Sequence, residues 1–165
     1  MVDVRLKAYG IAAAVVVTDR LTKWLVETRL SFLDTVSVIP GFFDIIRTEN
    51  RGAAFSLFND STSEWRTVLL ALFSVAAVLL ISGFILWRAA RLDRLSLAGF
   101  GLILGGAAGN VIDRIGWGRV TDFLDFYIGT YHWPAFNVAD SALVVGCGLL
   151  LLEALHAKRQ TANVP

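Results

Sequence analysis

Two aspartates lie beside long apolar runs, where a pair of carboxylates could do chemistry. Asp140 lies in FNVADSAL at the start of the last apolar run, and Asp122 lies in GRVTDFLDF, shortly after the preceding run. A charged side chain at membrane depth costs several kcal/mol unless it is paired or hydrated, so each is a candidate for function. Two adjacent carboxylates cannot both ionise, so one could activate a water while the other, still protonated, donates to a carbonyl oxygen. That chemistry hydrolyses an amide bond as aspartic peptidases do.

Asp125 leaves the identity of one member of the pair open. It lies three residues after Asp122, so on a helical turn both carboxylates would point the same way. The spacing alone does not say which of the two would act.

Further polar residues lie within or beside the apolar runs, all near the same predicted membrane level. They are Asp19, Lys23, Asn50, Asn110, Asp113, Arg114 and Asn137. The structural alternative is that they only hold helices together. Asp113 would then pair with Arg114, and Asp19 with Arg20 and Lys23, as interfacial ion pairs. Asn110 and Asn137 would form interhelical hydrogen bonds.

Neither a metal nor a cofactor is expected. Cys147 is the single cysteine, and neither His132 nor His156 has a partner at metal-ligand spacing. GxSxG, Walker and HExxH motifs are absent from the sequence. A dyad of carboxylates requires none of these groups.

The composition is that of a membrane protein with a single domain over residues 1–165. Hydrophobic residues make up 56% of the chain and charged residues 18%, with a mean hydropathy of +0.63. The formal net charge is +1, so no basic field is available to hold nucleic acid. We therefore expect the chain to lie in membrane lipid and not to bind nucleic acid.

Four apolar segments approach the roughly 20 residues that a transmembrane helix needs. They cover about residues 7–26, 68–87, 96–114 and 137–155. The first contains Asp19, Arg20 and Lys23, which weakens it as a span. The third is rich in glycine, and Gly99, Gly105, Gly106 and Gly109 are predicted to let neighbouring helices approach closely.

The distribution of basic residues predicts the topology. MVDVRLK, RAARLDR and HAKRQTANVP are short and basic, so both termini and the link between spans two and three should be cytoplasmic. The other two connections would be extracytoplasmic. One contains VSVIPGFFDIIRT, which predicts a small β-hairpin cradle around Pro40-Gly41, with Phe55, Phe58 and Trp65 following at the interface. The other, about residues 116–136, is predicted as an aromatic-rich interfacial loop.

Five blocks of sequence, in order, resemble the bacterial lipoprotein signal peptidases, also called signal peptidase II. The blocks are TDRLTK from Thr18, NRGAAFSLF from Asn50, GGAAGNVIDR from Gly105, VTDFLDF from Val120 and FNVADSAL from Phe136. The resemblance covers nearly the whole chain and implies an all-α integral membrane protein of four spans.

The resemblance also implies a function and roles for particular residues. Asp122 and Asp140 match the catalytic dyad, while Asp19, Asn50, Asn110, Asp113, Arg114 and Asn137 match residues that support the site or contact ligand. The implied activity removes the signal peptide from diacylglyceryl-modified prolipoproteins, cutting just before the lipidated cysteine. Globomycin-type antibiotics would inhibit it. The implied location is the bacterial cytoplasmic (inner) membrane, with the active site at the outer face, and we expect a monomer.

Two other classes of function fit parts of the pattern. Asp19, Asp113 and Asp140 near one face could form a proton relay in a transporter or channel subunit, although the chain shows none of the inverted repeats usual in transporters. A lipid-binding or assembly protein could instead use its aromatic loops, with carboxylates that only pair. The peptidase is the favoured hypothesis.

Overall fold

Four long helices and a small antiparallel sheet form the described part of the chain, residues 4–51 and 64–162 of a computed structural model. The helices are α1 (Val4–Arg29), α2 (Glu64–Arg88), α3 (Arg94–Trp117) and α4 (Val138–Ala162). The strands are β1 (Thr35–Ile39), β2 (Phe43–Asn50), β3 (Val120–Ile128) and β4 (Tyr131–His132). The predicted interfacial residues Phe55 and Phe58 lie outside the described residues.

Three of the described helices are long and apolar enough to cross a membrane. The qualifying segments are Val68–Arg91, Arg94–Trp117 and Val138–His156. They agree with three of the four predicted spans. The helix α1 is long enough, at 26 residues, but does not qualify because it carries Asp19, Arg20 and Lys23. Three of the four long helices described are thus candidate membrane spans.

The surface of α2 shows why the protein needs a membrane. Leu72, Phe73, Leu79 and Leu80 are all more than 60% exposed, and the apolar window of α2 is hardly buried inside the protein. Water would solvate such a surface poorly, whereas lipid tails are as apolar as the side chains themselves. This face of the helix is therefore a lipid-facing surface.

The helix α3 is the centre of the bundle, because it packs against α1, α2 and α4. Its N-cap residue is Asp93, whose side chain accepts hydrogen bonds from the backbone N–H groups of Leu95 and Ser96. Its C-cap residue is Gly118, which has φ of 67°, a left-handed conformation that favours glycine. The chain then turns directly into β3.

Glycines on two sides of α3 allow its close contacts, as predicted. A Cβ at Gly105 would lie 2.8 Å from the backbone oxygen of Ala12 in α1. A Cβ at Gly106 would lie 2.4 Å from the backbone oxygen of Ala139 in α4. Both distances are too short for real atoms, so these backbones touch only because the side chains are absent.

The predicted β-hairpin around Pro40-Gly41 is confirmed as strands β1 and β2. Gly41 has φ of 79°, which suits the tight turn between them. Ile45 pairs with Leu124 of β3, yet Thr48 pairs with Asp122, so β2 contains a bulge between these two pairs. The four strands are ordered β1-β2-β3-β4 and are all antiparallel.

The prediction of an aromatic-rich loop over about residues 116–136 is wrong for most of that segment. Val120–Ile128 forms the central strand β3, and Tyr131–His132 forms the short strand β4. Aromatic and β-branched residues suit a membrane interface and a β-strand equally well. The partner of β3 is β2, in which Asn50 pairs with Val120 and Phe43 pairs with Phe126. Because these partners are far apart in sequence, the local composition of β3 does not reveal the pairing.

The close contact of α3 with α4 predicts that Gly106→Ala destabilises the protein. The added methyl group would overlap the backbone oxygen of Ala139, and overpacking of this kind costs about 1–3 kcal/mol. Thermal unfolding in detergent should show a midpoint several degrees lower than wild type. Gly148→Ala is the matched control, because a Cβ at Gly148 meets nothing within 4 Å. Equal midpoints for the two variants would contradict this packing.

Candidate active site

Asp122 and Asp140 come together because β3 runs beside the first turn of α4. Asn137, which is completely buried, bridges them. Its Nδ2 donates to Asp122 Oδ1 over 2.7 Å, and its Oδ1 accepts from the backbone N–H of Asp140 over 3.0 Å. One amide therefore caps α4 and orients the Asp122 carboxyl group at the same time.

Two further amides contact these carboxyl groups. Asn110 of α3 donates through Nδ2 to Asp140 Oδ1 over 2.8 Å. Asn50, the last residue of β2, donates through Nδ2 to Asp122 Oδ2 over 3.3 Å. Strands β2 and β3 and helices α3 and α4 thus each contribute a side chain to one polar site.

Burial changes the acidity of Asp122. Removal of its carboxyl group from water is the largest effect, and with the nearby charge of Asp140 it raises the pKa of Asp122 from 3.8 to about 7. Hydrogen bonds from Asn137 and Asn50 oppose this increase without cancelling it. A carboxyl group with this pKa exchanges its proton near neutral pH, as a general acid or base must.

A buried ion cluster supports the site from the α1 side. Lys23 is fully buried, and its Nζ lies 2.7 Å from Asp19 Oδ2 and 2.6 Å from Asp113 Oδ2. Asp19 also accepts a hydrogen bond from the backbone N–H of Ala139, over 2.9 Å. Arg20 donates to the other oxygen of Asp113. The cluster therefore joins α1, α3 and the start of α4.

The ion cluster connects to the carboxylates through Asn110. Lys23 Nζ lies 3.4 Å from Asn110 Oδ1, so the amide oxygen points to the cluster and its NH₂ group points to Asp140. Arg114 lies on the next part of α3, within electrostatic reach of both Asp122 and Asp140. Its Nη1 also lies 3.4 Å from the backbone oxygen of Asn110.

The structure brings together the eight residues that the resemblance assigns to the site, with two changes of the predicted ion-pair partners. The predicted pair of Asp19 with Lys23 is present, but Asp113 pairs with Lys23 and Arg20 and not with Arg114. Adjacent residues on a helix point in different directions, which explains why Asp113 and Arg114 do not face each other. Arg20 likewise pairs with Asp113, not with Asp19.

Asp125 lies elsewhere. Because β3 is a strand and not a helical turn, side chains three residues apart point to opposite faces, and Asp125 contacts His132 Nδ1 over 2.9 Å.

The sequence reasoning missed the central place of Lys23 in the site. Its signal was an ammonium group inside an apolar segment, four residues after Asp19, although its partners on α3 are distant in sequence.

Metal ligation has no obvious place within residues 4–51 and 64–162. No three His, Cys, Asp or Glu side chains in those ranges are grouped so that they could hold an ion.

Solved structures share this fold and identify the class of protein. One, described as a bacterial membrane enzyme, matches with a TM-score of 0.83 and 29% identity, over 96% of this chain and 93% of that chain. Another, described in the same words, matches with a TM-score of 0.78 and 30% identity, over 90% of this chain and 92% of that one. The chain therefore has the fold of bacterial membrane enzymes.

Sequence comparisons identify the family. The family model described as signal peptidase (SPase) II matches residues 11–156. A lipoprotein signal peptidase of Solibacter usitatus is 62% identical over 164 residues, 99% of each chain. One of Nitratidesulfovibrio vulgaris is 50% identical over 140 residues, 85% of this chain and 84% of that one. The chain belongs to the signal peptidase II family, a family of membrane peptidases, and the resemblance found in the sequence is confirmed.

The raised pKa of Asp122 predicts how stability changes with pH. Between about pH 4 and 7 the folded state keeps a proton on Asp122 that the unfolded state has lost, so the free energy of unfolding falls as pH rises. Asp122→Asn removes this contribution. In thermal unfolding, the midpoint of the variant minus that of wild type should therefore increase from pH 4 to 7.

Asp34→Asn provides a control of opposite sign. Hydrogen bonds from Ser31 lower the pKa of Asp34, so its carboxylate contributes stability above pH 4 and not below. The midpoint difference for Asp34→Asn should not increase with pH. A midpoint difference for Asp122→Asn that is constant or decreases over this range would contradict the assignment.

Proposed function

We propose that this chain is an aspartic endopeptidase that removes the signal peptide from diacylglyceryl-modified prolipoproteins, cutting just before the lipidated cysteine. The observation that carries the proposal is the bridge formed by Asn137 between Asp122 and the backbone of Asp140. The relatives named above are lipoprotein signal peptidases, which supports the substrate class.

Asp140 is the general base in this proposal. It lies in the first turn of α4, where the helix dipole stabilises a negative charge. Asn110 donates to its Oδ1, and the guanidinium of Arg114 lies nearby. These groups hold the Asp140 carboxyl group in position to accept a proton from an attacking water.

Asp122 is the proton-bearing partner. Its pKa of about 7 leaves a substantial fraction protonated at neutral pH. Among the described residues, Asn137 donates to Oδ1 over 2.7 Å and Asn50 donates to Oδ2 over the longer distance of 3.3 Å, so Oδ2 is the oxygen better suited to hold the proton. The protonated Asp122 donates a hydrogen bond to the scissile carbonyl oxygen and stabilises the negative charge that develops there.

The reaction then proceeds through one tetrahedral intermediate. Asp140 takes a proton from water as the water oxygen bonds to the carbonyl carbon. The C–N bond then breaks, the nitrogen of the lipidated cysteine leaves with that proton, and the signal peptide retains the new carboxyl group. Neither side chain forms a covalent bond with the substrate.

The proposed topology has four spans with both termini in the cytoplasm of a bacterium. Helix α1 would be the fourth span, its charges being neutralised within the protein by the Lys23 cluster. The carboxylates would then lie at the outer face of the inner membrane, at the depth of lipid headgroups. A diacylglyceryl-cysteine holds its acyl chains in that leaflet and its scissile bond beside it. Globomycin-type antibiotics would inhibit the enzyme, which would act as a monomer.

We predict that Asp122→Asn and Asp140→Asn each reduce cleavage by at least about 10²-fold, since loss of a general acid or base typically costs 10²–10⁴-fold. The assay uses purified protein in detergent with a prolipoprotein whose cysteine carries diacylglyceryl. The same prolipoprotein without the lipid should not be cleaved by wild type.

Asp125→Asn is the control variant for this assay. Its carboxylate lies on the same strand but on the opposite face, with His132 as its partner. It should retain activity close to that of wild type, while thermal unfolding confirms that all three variants fold. Near-wild-type cleavage by Asp122→Asn or Asp140→Asn would contradict the proposed dyad, and equal cleavage of the unlipidated substrate would contradict the proposed specificity.

A further inference from the structure

A polar cavity lies beside Thr121 of β3, on the face of the strand opposite to Asp122. It has a volume of about 80 Å³ and is lined by three guanidinium groups, those of Arg20, Arg47 and Arg119. Thr121 also lines it, and because side chains alternate along a strand, Thr121 and Asp122 point to opposite faces of β3. Since one water needs roughly 10–15 Å³ of cavity volume, the cavity can hold a group of several heavy atoms.

The carboxylates of the cavity wall are already engaged. Both oxygens of Asp113 accept from cations, one from Arg20 and one from Lys23. Glu27 accepts a 2.6 Å hydrogen bond from the hydroxyl group of Thr121. Both oxygens of Asp113 and one oxygen of Glu27 are therefore engaged within the protein.

Arg47 makes several hydrogen bonds but keeps one donor unpaired. Its Nη1 donates to the backbone oxygens of Glu27 and Leu30, over 2.8 and 3.2 Å. Arg47 Nη2 and Arg119 Nε share one carboxylate oxygen, Glu49 Oε1, at 3.6 and 3.1 Å. Arg47 Nε is buried and, within the described residues, has no hydrogen-bond partner. An unsatisfied buried donor is costly, so a ligand rich in acceptor oxygens would be stabilised here. Arginine is the side chain best shaped to bind phosphate through two parallel hydrogen bonds.

The proposed topology places the residues around the cavity at the depth of lipid headgroups. Its residues Arg20 and Glu27 lie in the second half of α1, and Trp117 is the last residue of α3, where a candidate membrane span also ends. Trp24 and Trp117 are each more than half exposed, and the Arg20 guanidinium lies 4.4 Å from the centre of the Trp117 ring. Exposed tryptophans beside arginines are typical of a membrane interface.

We propose that this cavity binds the phosphate group of a membrane phospholipid from the leaflet on the sheet side. The three guanidinium groups hold the phosphate, and the acyl chains lie along exposed apolar residues of α1 and α3 such as Leu21 and Ile115. The site is distinct from the proposed catalytic dyad and does not depend on it.

Native mass spectrometry of the full chain, released from detergent, tests the proposal. Wild type is titrated with dioleoylphosphatidylethanolamine and, separately, with dioleoylglycerol, which has the same acyl chains and no phosphate. Arg119→Gln should weaken binding of the phospholipid by at least about tenfold, the loss of a hydrogen bond to a charged group. It should leave binding of dioleoylglycerol unchanged.

Two further variants serve as controls. Arg119→Lys retains the charge without the two-pronged geometry and should weaken phospholipid binding less than Arg119→Gln. Arg29→Gln removes an exposed arginine at the end of α1, outside the cavity, and should bind as wild type does. Thermal unfolding checks that each variant is folded.

Three results would overturn the proposal. The first is equal phospholipid binding by wild type and Arg119→Gln. The second is equal loss of phospholipid and dioleoylglycerol in Arg119→Gln, which would mean that the acyl chains and not the phosphate are recognised. The third is displacement of the phospholipid by excess inorganic phosphate, which would assign the cavity to a free anion.

Discussion

The buried ammonium group of Lys23 is the interaction on which the polar end of the molecule depends. Its side chain is 0% exposed and lies between Asp19 of its own helix and Asp113 of α3. Loss of one partner from a buried ion pair typically costs about 3–5 kcal/mol, because the remaining charge has no compensation. The same cluster determines which way Asn110 presents its NH₂ group, and so reaches the carboxylate of Asp140. The same contacts of Lys23 therefore neutralise the buried charges between the helices and orient Asn110 toward Asp140.

Close helix packing makes that arrangement possible. A Cβ at Gly109 would lie 2.9 Å from Asp19 Oδ2, so the absence of a side chain leaves the space that the Asp19 carboxylate occupies. Asp19 in turn accepts a hydrogen bond from the backbone of Ala139, next to Asp140. The sheet completes the site from above, where Asp122 is removed from water and its pKa is raised. The polar contacts of Asp19 therefore require a residue without a side chain at Gly109.

Local patterns in the sequence predicted much of the fold. The apolar runs located α2, α3 and α4, and Pro40-Gly41 located the first hairpin, because these features depend on neighbouring residues alone. The strand β3 was missed, since its partner β2 lies far away in sequence and its composition also suits an interfacial loop. Strand geometry also places Asp125 and Asp122 on opposite faces of β3, whereas their spacing in the sequence left open that both point the same way.

The candidate site was predictable as a set of residues but not as a set of contacts. Polar side chains beside apolar runs stand out by type, which is why all eight appear in the structure at one end of the bundle. The partner of Asp113 is Lys23, 90 residues earlier, and Asn137 bonds to Asp122 across the start of α4. Such pairs follow from helix packing and strand register, which no single segment specifies.

The dependence of kcat/KM on pH, with a diacylglyceryl-modified prolipoprotein in detergent, tests the central claim most directly. If Asp122 must hold a proton to donate to the scissile carbonyl oxygen, kcat/KM of the wild-type protein should fall as pH rises through about 7. A value of kcat/KM that stays constant or rises from pH 6 to 9, with substrate and enzyme both intact, would contradict the role of Asp122 as the protonated member of the pair.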